Sequence, residues 1–121
     1  MSKVIFLVDD EPLVVRALSR MLGDEGYVIL PHDDPTKVVA RFNAGERPDL
    51  LITDHDMPEM TGFSLAAAAR ELGYQGPILV LSARASQLVA TKPASVTHLG
   101  EKTMGMSALC SLVARLMTTV K

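Results

Sequence analysis

A continuous apolar run, three acids and a proline follow one another in the stretch Val4-Ile5-Phe6-Leu7-Val8-Asp9-Asp10-Glu11-Pro12. An apolar run so short and unbroken is typical of a strand that is buried on both faces, as in a parallel sheet. Proline is favoured in the first turn of a helix, and apolar residues then recur at helical spacing. The apolar stripe of this helix consists of Val14, Leu18, Met21 and Leu22. The stretch therefore predicts a buried strand, an acidic turn and a helix.

The same alternation continues along the chain. Further short apolar runs cover residues 27–30, 50–52 and 78–81, and a weaker one covers residues 96–99. Helices are predicted from the N-cap Asp34 to Gly45, over residues 63–72 with Gly73 as the stop, and over a brief segment at 86–90. The last helix has an apolar stripe at Leu109, Leu112, Val113, Leu116 and Val120. Five strands that alternate with helices predict a doubly wound α/β domain with a five-stranded parallel sheet and flanking helices.

The composition indicates one globular domain without a membrane span. The 121 residues are 48% hydrophobic and 21% charged, and no repeat or linker divides them, so residues 1–121 are expected to form a single domain. The net charge of −2, with Lys and Arg scattered along the chain, gives no basic surface for nucleic acid. Cys110 is the only cysteine, which favours a reducing, cytoplasmic location. The apolar run at residues 4–8 is too short for an export signal, and no stretch approaches the roughly 20 apolar residues of a membrane span.

Polar side chains stand at or just after the ends of four of the five predicted strands. They are Asp9 and Asp10, Asp54, Ser82 and Lys102. In open α/β sheets ligands bind beyond the carboxyl ends of the strands, so we expect these residues to share one small volume. Three carboxylates this close repel one another unless a cation offsets them, and an all-oxygen acidic cluster suits Mg²⁺. Any one of the five alone would be better explained as a helix cap or a solvated turn, but all five together favour a site.

Two segments of the chain resemble a known family. Phe6-Leu7-Val8-Asp9-Asp10-Glu11-Pro12 and Leu51-Ile52-Thr53-Asp54-His55-Asp56-Met57-Pro58-Glu59-Met60-Thr61-Gly62 closely resemble the response-regulator receiver domains of two-component signalling. Ser82-Ala83 is similar to the hydroxyl residue and alanine of that family, and Lys102 is similar to its lysine. The resemblance covers essentially the whole chain and implies a stand-alone receiver of flavodoxin-like strand order. It also implies that a sensor histidine kinase or a histidine phosphotransfer protein donates a phosphoryl group, and that a downstream protein target exists.

The resemblance also implies a role for each residue at the strand ends. Asp54 would be the phosphoacceptor, and Lys102 and Ser82 would contact the phosphoryl group. Mg²⁺ would be held by Asp10 and Asp54 directly, by Asp9 mainly through water, and by the backbone carbonyl of Asp56. Such a protein is a signalling phosphoacceptor and not a turnover enzyme, since it catalyses only its own phosphorylation and dephosphorylation.

The C-terminal third departs from the family pattern. Receivers usually have proline after the lysine, whereas Thr103 follows Lys102 here, and a Lys-Pro pair occurs instead at Lys92-Pro93. We favour Lys102 as the site lysine, because the nine residues between Ser82 and Lys92 leave no room for both a helix and the fifth strand. The interval from Ser82 to Lys102 is itself shorter than the family leads one to expect. It predicts a short or distorted fourth helix.

The output side of the domain is less well specified than the acidic cluster. Leu99 stands where the family usually has Tyr or Phe, so the aromatic residue that moves on activation is absent. Gly100 and Glu101 fall where the family tends to be apolar, which leaves the end of the fifth strand weakly specified. The surface contacts predicted for the phosphoryl donor lie on the first helix, off its apolar stripe. They are Arg16, Ser19 and Arg20.

Several other residues are interpreted structurally. His55 is expected to face away from its neighbour Asp54. His32 and His98 lack partners at metal-ligand spacing and are expected at the surface or at a sheet edge. Gly62 is expected to supply a backbone geometry that other residues resist. Cys110 is expected to be a small core or interface residue.

Two other functions stay open. Asp54-His55-Asp56 also resembles the D-x-D motif of Mg²⁺-dependent aspartyl phosphatases of the haloacid-dehalogenase type. In those enzymes the motif ends the first strand and the acidic pair comes later in the chain, which is the reverse of the order found here. The other candidate is a degenerate receiver that acts only as a protein-interaction module, as the missing aromatic, the missing proline and the short fourth helix suggest. The acidic cluster at Asp9, Asp10 and Asp54 favours the phosphoacceptor over both.

Overall fold

The computed structural model describes residues 2–118. Its strands are β1 (Val4–Val8), β2 (Val28–His32), β3 (Leu50–Asp54), β4 (Ile78–Ser82) and β5 (His98–Glu101). Its α-helices are α1 (Pro12–Asp24), α2 (Pro35–Asn43), α3 (Gly62–Glu71), α4 (Ala85–Leu88) and α5 (Met106–Thr118), and a 3₁₀ turn at Val89–Thr91 follows α4. Val120, which the sequence assigns to the last helix, lies outside the described residues. Within residues 2–118, no helix is long and apolar enough to cross a membrane.

The five strands form one parallel sheet in the order β2-β1-β3-β4-β5. The predicted doubly wound five-stranded sheet is therefore confirmed. The chain leaves β1 for β2 on one side and returns to β3 on the other, so the strand order reverses between β1 and β3. Ligand sites in such sheets lie beyond the carboxyl ends of the strands at this switch point. Asp9 and Asp10 directly follow β1, and Asp54 is the last residue of β3.

The hydrophobic core lies on both faces of the sheet, because successive residues of a strand point to opposite sides. From β1, Phe6 and Val8 pack with residues of α2 and α3. Ile5 and Leu7 pack on the other face with residues of α1 and α5. All four side chains are at most 1% exposed. A strand covered on both sides needs apolar residues at every position, which explains the unbroken apolar runs.

Local signals begin and end the helices where the sequence predicts. Asp34 caps α2, since its carboxylate accepts a hydrogen bond from a backbone N–H of the first turn at 2.9 Å, and Pro35 is the first helical residue. Thr61 caps α3 in the same way through its hydroxyl. Gly73 follows α3 with a φ of +97°, in the left-handed region that favours glycine.

The bounds of β2, β5 and α4 differ from the predicted ones. β2 begins at Val28 and continues to His32 through Pro31; because β2 is an edge strand, the missing N–H of proline is tolerated there. β5 begins two residues later than predicted, since the N–H of Val96 closes a turn onto the carbonyl of Pro93 at 3.1 Å. The fourth helix is a single short turn, as the short interval before Lys102 predicts.

Gly62 is required for a different reason from the one expected. Its φ lies outside the left-handed region, where only Gly26, Gly45 and Gly73 are found among the described residues. A Cβ at Gly62 would instead lie 2.7 Å from the carbonyl oxygen of Asp54 and 3.0 Å from the Cα of His55. Both obstacles are backbone atoms, so Gly62 lets the start of α3 approach the end of β3.

His32 lies in the edge strand β2, as expected for a residue at the surface or at a sheet edge, but its side chain is buried. It is 7% exposed, its Nδ1 lies 3.2 Å from the carbonyl oxygen of Leu7, and its Nε2 accepts a hydrogen bond from Arg41 Nε at 2.7 Å. These two partners satisfy both ring nitrogens, which allows the imidazole to be buried although β2 is an edge strand. His98 lies half-buried in β5, at the opposite edge of the sheet, as expected.

Candidate functional site

The three acids predicted to share a site lie together. Asp9 and Asp10 follow β1 and Asp54 ends β3, so the neighbouring parallel strands carry their side chains to the same edge of the sheet. One carboxylate oxygen from each lies within 4.8 Å of the others. Asp9 and Asp54 are 2% and 5% exposed, and Asp10 is half-buried.

Lys102 joins this cluster directly after β5. Its Nζ lies 3.0 Å from Asp9 Oδ2, 3.3 Å from Asp54 Oδ1 and 3.1 Å from Glu11 Oε1. Lys92, the alternative lysine, is an exposed residue at the end of the 3₁₀ turn, well before β5 begins. The structure thus places Lys102 at the strand ends, where the spacing argument predicts it.

The electrostatics of the cluster indicate an excess of negative charge. Burial raises the pKa of Asp9 from its usual 3.8, although hydrogen bonds from the Glu11 backbone and from Lys102 oppose this shift. Burial, and then the charge of Asp9, raise the pKa of Asp54. Burial lowers the pKa of Lys102, but the hydrogen bonds and charges of the surrounding carboxylates outweigh it and the pKa is raised. Three oxygen donors in a site that one ammonium does not neutralise fit a hard divalent cation such as Mg²⁺.

Ser82 and Asp56 border the cluster from β4 and from the loop after β3. Ser82 is fully buried, and its hydroxyl oxygen accepts a hydrogen bond from the backbone N–H of Arg84 at 3.1 Å. The Arg84 guanidinium donates to Asp56 Oδ1 at 2.9 Å, and this hydrogen bond lowers the pKa of Asp56. The ion pair joins the β3–α3 loop to the β4–α4 loop.

A cleft of about 310 Å³ opens above these residues. It is lined by Asp10, Glu11, Asp54, Asp56, Ala83 and Lys102. The carboxylate of Asp54 therefore faces a space that is large enough for a phosphoryl group, with Lys102 on one side and the loop of Asp56 on the other. The chemical roles predicted for these residues stay predictions.

Sequence reasoning missed two contacts at this site. In the sequence Glu11 stands out only as part of a motif, yet its side chain reaches Lys102, 91 residues away along the chain. The Asp56–Arg84 pair had a detectable signal: each residue stands two positions beyond the end of one of two neighbouring parallel strands, and the charges are opposite.

The side chain of His55 packs against α3 and makes no hydrogen bond to the acidic cluster among the described residues. Its ring lies edge-on to Phe63 in α3, with 4.4 Å between the ring centroids. It is 5% exposed, and burial lowers its pKa. Its buried Nδ1 has no hydrogen-bond partner within residues 2–118. Leu99 lies half-buried against the core cluster that contains Val80 and Val96.

The predicted donor-contact residues are only partly accessible. Arg16 and Arg20 are exposed, whereas Ser19 is half-buried and its hydroxyl has no hydrogen-bond partner in the described part of the chain. A groove of about 560 Å³ between α1 and α5 is lined in part by both arginines. Leu13 and Met106 stand in this groove with 75% and 66% of their surface exposed. Cys110 also lines it and is half-buried against the core cluster that contains Leu109 and Leu112, so it is a small packing residue as expected.

Comparison with known proteins points to one family. A family model described as the response regulator receiver domain matches residues 5–113. Response regulator MprA of Mycobacterium ulcerans is 39% identical over 87 residues, which are 71% of this chain but only 37% of that protein. MprA of Mycobacterium bovis gives the same identity and coverage, so the chain spans little more than a third of these curated relatives.

Solved structures agree with this similarity over the whole fold. Response regulator TrrA from Thermotoga maritima, in complex with Mg²⁺-BeF, is 26% identical with a TM-score of 0.85 and covers 94% of this chain and 98% of its own. Chemotaxis protein CheY4 of Vibrio cholerae is 27% identical with a TM-score of 0.82 and covers 96% of this chain and 99% of its own.

Proposed function

Because this chain belongs to the response regulator receiver domain family, we propose that it is a phosphoacceptor in which Asp54 takes a phosphoryl group in a Mg²⁺-dependent reaction. The donor is a phosphohistidine of a sensor histidine kinase or of a histidine phosphotransfer protein. The observation that carries the proposal is the position of Asp54. Its carboxylate lies in a cleft, within 4.8 Å of two further carboxylates and 3.3 Å from the Lys102 ammonium.

In this proposal each residue acts through charge or position. An Asp54 oxygen forms a bond to phosphorus while the phosphorus–nitrogen bond of the donor breaks, and the electron pair of that bond goes to the imidazole. Lys102 and the Ser82 hydroxyl stabilise the oxygens of the transferred group. Asp10 and Asp54 would hold Mg²⁺ directly, Asp9 would hold it mainly through water, and the backbone carbonyl of Asp56 would be a further ligand. The ion would supply positive charge that offsets the negative charge of the phosphoryl oxygens.

We also propose the context of this reaction. Residues 1–121 form a single receiver domain that works in the cytoplasm and binds protein partners rather than nucleic acid. The donor docks beside the cleft on α1, where Arg16 and Arg20 make no ion pair within residues 2–118 and Leu13 is exposed. A downstream protein reads the phosphorylated state. The protein turns over no small substrate.

The phosphatase alternative is weakened by the Asp56–Arg84 pair. In that mechanism Asp56 would act as general acid, which requires a carboxyl that still carries its proton near neutral pH. The hydrogen bond from Arg84 lowers the pKa of Asp56 instead. The degenerate receiver keeps support from Leu99 in place of an aromatic and from the single turn of α4, and it is the second candidate.

Intact-mass spectrometry after incubation with Mg²⁺ and acetyl phosphate tests the proposal. We expect an adduct of one phosphoryl group on the wild-type protein. The adduct should be absent from Asp54→Asn and from an EDTA sample, and present on Asp24→Asn, which alters an exposed acid far from the cleft. If no adduct forms even with a cognate kinase, the degenerate receiver is favoured. Hydrolysis of small phosphate esters would instead favour the phosphatase.

A further inference from the structure

The Lys102 ammonium contacts three carboxylates, of which two are buried in the acidic cluster and one is exposed outside it. The ammonium has three N–H donors, and Asp9, Glu11 and Asp54 lie 3.0, 3.1 and 3.3 Å from its nitrogen. The side chains of Asp9 and Asp54 are 3% and 5% exposed and belong to the group of acids that could hold a metal ion. Glu11 lies outside that group, with 63% of its side chain exposed.

A divalent cation and Lys102 therefore compete for the same two carboxylates. Positive charge that binds between Asp9, Asp10 and Asp54 repels the ammonium and takes over oxygens that it contacts. The cation does not compete with Lys102 for Glu11, because Glu11 lies outside the group of Asp9, Asp10 and Asp54. The contact between Lys102 and Glu11 is the one that can persist while the other two are exchanged.

The backbone around Glu11 is fixed in a way that suits such an anchor. Pro12 restricts Glu11 to an extended conformation, and its φ and ψ are −97° and 110°. Its N–H donates to Asp9 Oδ1 at 2.9 Å, and its carbonyl accepts from the N–H groups of Val14 and Val15. Glu11 stands at the N-cap of α1, yet its side chain makes no capping hydrogen bond. It reaches across the cleft to Lys102 instead.

We propose that Glu11 is a positioning residue for Lys102. It retains the ammonium at the rim of the cleft when the cluster of Asp9, Asp10 and Asp54 binds the cation, and holds it within reach of the group on Asp54. This inference rests on the proposed function and deepens it, since it specifies how the site releases its lysine to admit a cation. Without Glu11, Lys102 stays on Asp9 and Asp54, where it competes with the cation.

The primary test measures Mg²⁺ affinity by titration calorimetry, with no phosphodonor present. We expect Glu11→Gln to weaken Mg²⁺ binding by about two- to fivefold, the range given by a partly exposed ion pair. Glu59→Gln removes an exposed acid that makes no ion pair in the described part of the chain, and should change the affinity less. In a Lys102→Met background, Glu11→Gln should lose most of its effect, since there is no ammonium left to anchor. An equal effect in both backgrounds would overturn the proposal.

Glu11→Asp separates reach from charge. The shorter side chain keeps the negative charge but cannot hold Lys102 from the same backbone position, so we expect it to resemble Glu11→Gln. Wild-type affinity in Glu11→Asp would mean that Glu11 acts only through its charge, which would overturn the anchoring role. Thermal unfolding checks that each variant is folded.

Phosphorylation by acetyl phosphate, followed in the same variants, keeps the two hypotheses apart. A wild-type adduct together with unchanged Mg²⁺ affinity in Glu11→Gln would overturn the role of Glu11 and leave the proposed function standing. If Glu11 and Lys102 are coupled in Mg²⁺ binding but the wild type forms no adduct, the proposed function is overturned and the role of Glu11 in cation binding stands.

Discussion

The buried His32 is held in its neutral form by one hydrogen-bond donor and one hydrogen-bond acceptor. Its Nε2 accepts from the Arg41 guanidinium, so its Nδ1 carries the proton and donates to the carbonyl of Leu7. A second proton would have to sit on Nε2, facing that guanidinium. Burial is the largest cause that lowers the pKa of His32 below 6.5, and the charge of Arg41 lowers it further.

The pH dependence of stability follows from this shift. Below pH 6.5 the unfolded chain binds a proton at His32 before the folded protein does, so this group's contribution to stability is lost as the pH falls. We expect the free energy of unfolding to decrease less steeply between pH 7 and about pH 5 in His32→Gln than in the wild type. Urea denaturation at a series of pH values measures the two slopes. Equal slopes would show that His32 is not the group responsible.

Gly62 and Gly23 form a matched pair of glycines with opposite expectations. In Gly62→Ala the new Cβ would lie 2.7 Å from the Asp54 carbonyl oxygen, so the start of α3 must move away from β3. We expect a loss of about 1–3 kcal/mol in the free energy of unfolding, as for other overpacked sites. Gly23 lies inside α1, where a Cβ would meet no atom within 4 Å, and Gly23→Ala should gain up to about 1 kcal/mol. Denaturation of both variants tests the contrast, and a stabilised Gly62→Ala would contradict it.

The acids of the site could be predicted one by one, but their contacts could not. Asp9, Asp10 and Asp54 are recognisable because each stands at the end of an apolar run. The contact of Glu11 with Lys102 depends on which long side chain crosses the cleft, and no local pattern in the sequence predicts such a long-range contact. The burial of His32 could not be predicted for the same reason. Arg41, which makes it possible, lies nine residues further along the chain.

Among the elements, α3 stabilises the segment that follows the short α4. The guanidinium of Arg70 donates from Nε to the carbonyl of Ser95 at 3.1 Å and from Nη1 to the carbonyls of Tyr74 and Gly76 at 3.0 and 2.6 Å. Its Nη2 lies 3.4 Å from the hydroxyl of Thr97. One arginine thus ties the approach to β5 onto α3, where a longer helix would otherwise supply the packing.

Arg70→Lys should loosen β5 while the charge is kept. Lysine cannot reproduce the planar fork that reaches several carbonyls, so some of these oxygens lose their donor. We expect a loss of about 1–3 kcal/mol in the free energy of unfolding. We also expect faster hydrogen exchange than in the wild type at the amide of Thr97, which donates to the carbonyl of Ile78 at 2.9 Å where β5 begins. Arg16→Lys, at an exposed arginine without an ion pair in the described residues, should change neither quantity. Unchanged exchange in Arg70→Lys would mean that β5 is held by the sheet alone.

The positions of helices could be predicted where the sequence contains a capping residue at the start or a glycine after the end. Asp34 with Pro35, and Gly73, set the bounds of α2 and α3 because they act on the adjacent backbone. The bounds of β2 and β5 shifted because edge strands are defined by hydrogen bonds to one neighbour. The brevity of α4 could be inferred only from the length available before Lys102.

For the molecule as a whole, the alternation of strands and helices predicts a doubly wound parallel sheet, and the polar residues at the strand ends predict the site, whereas the strand order was expected only from the family resemblance. Within that site the buried carboxylates of Asp9 and Asp54 cost stability at neutral pH when no cation is bound, and their contacts with Lys102 offset part of that cost. Because burial raises the pKa values of Asp9 and Asp54, the folded protein binds their protons more tightly than the unfolded chain does. Their contribution to stability is therefore full below pH 3.8 and is lost as the pH rises through the raised values. At neutral pH the fold holds together charges that repel one another.

Divalent cations should reverse this cost, since only the folded chain brings residues 9, 10 and 54 together. At a free Mg²⁺ concentration ten times the dissociation constant, the wild-type protein should gain about 1.4 kcal/mol in the free energy of unfolding. Asp54→Asn should be more stable than the wild type in EDTA at pH 7, because it removes an unfavourable buried charge, and should gain less from Mg²⁺. Asp24→Asn, at an exposed position on α1, should gain as much as the wild type. Urea denaturation with Mg²⁺ and with EDTA measures these differences. An equal Mg²⁺ response in Asp54→Asn and in the wild type would show that the cation binds elsewhere, and that the acids at the strand ends are held together for another purpose.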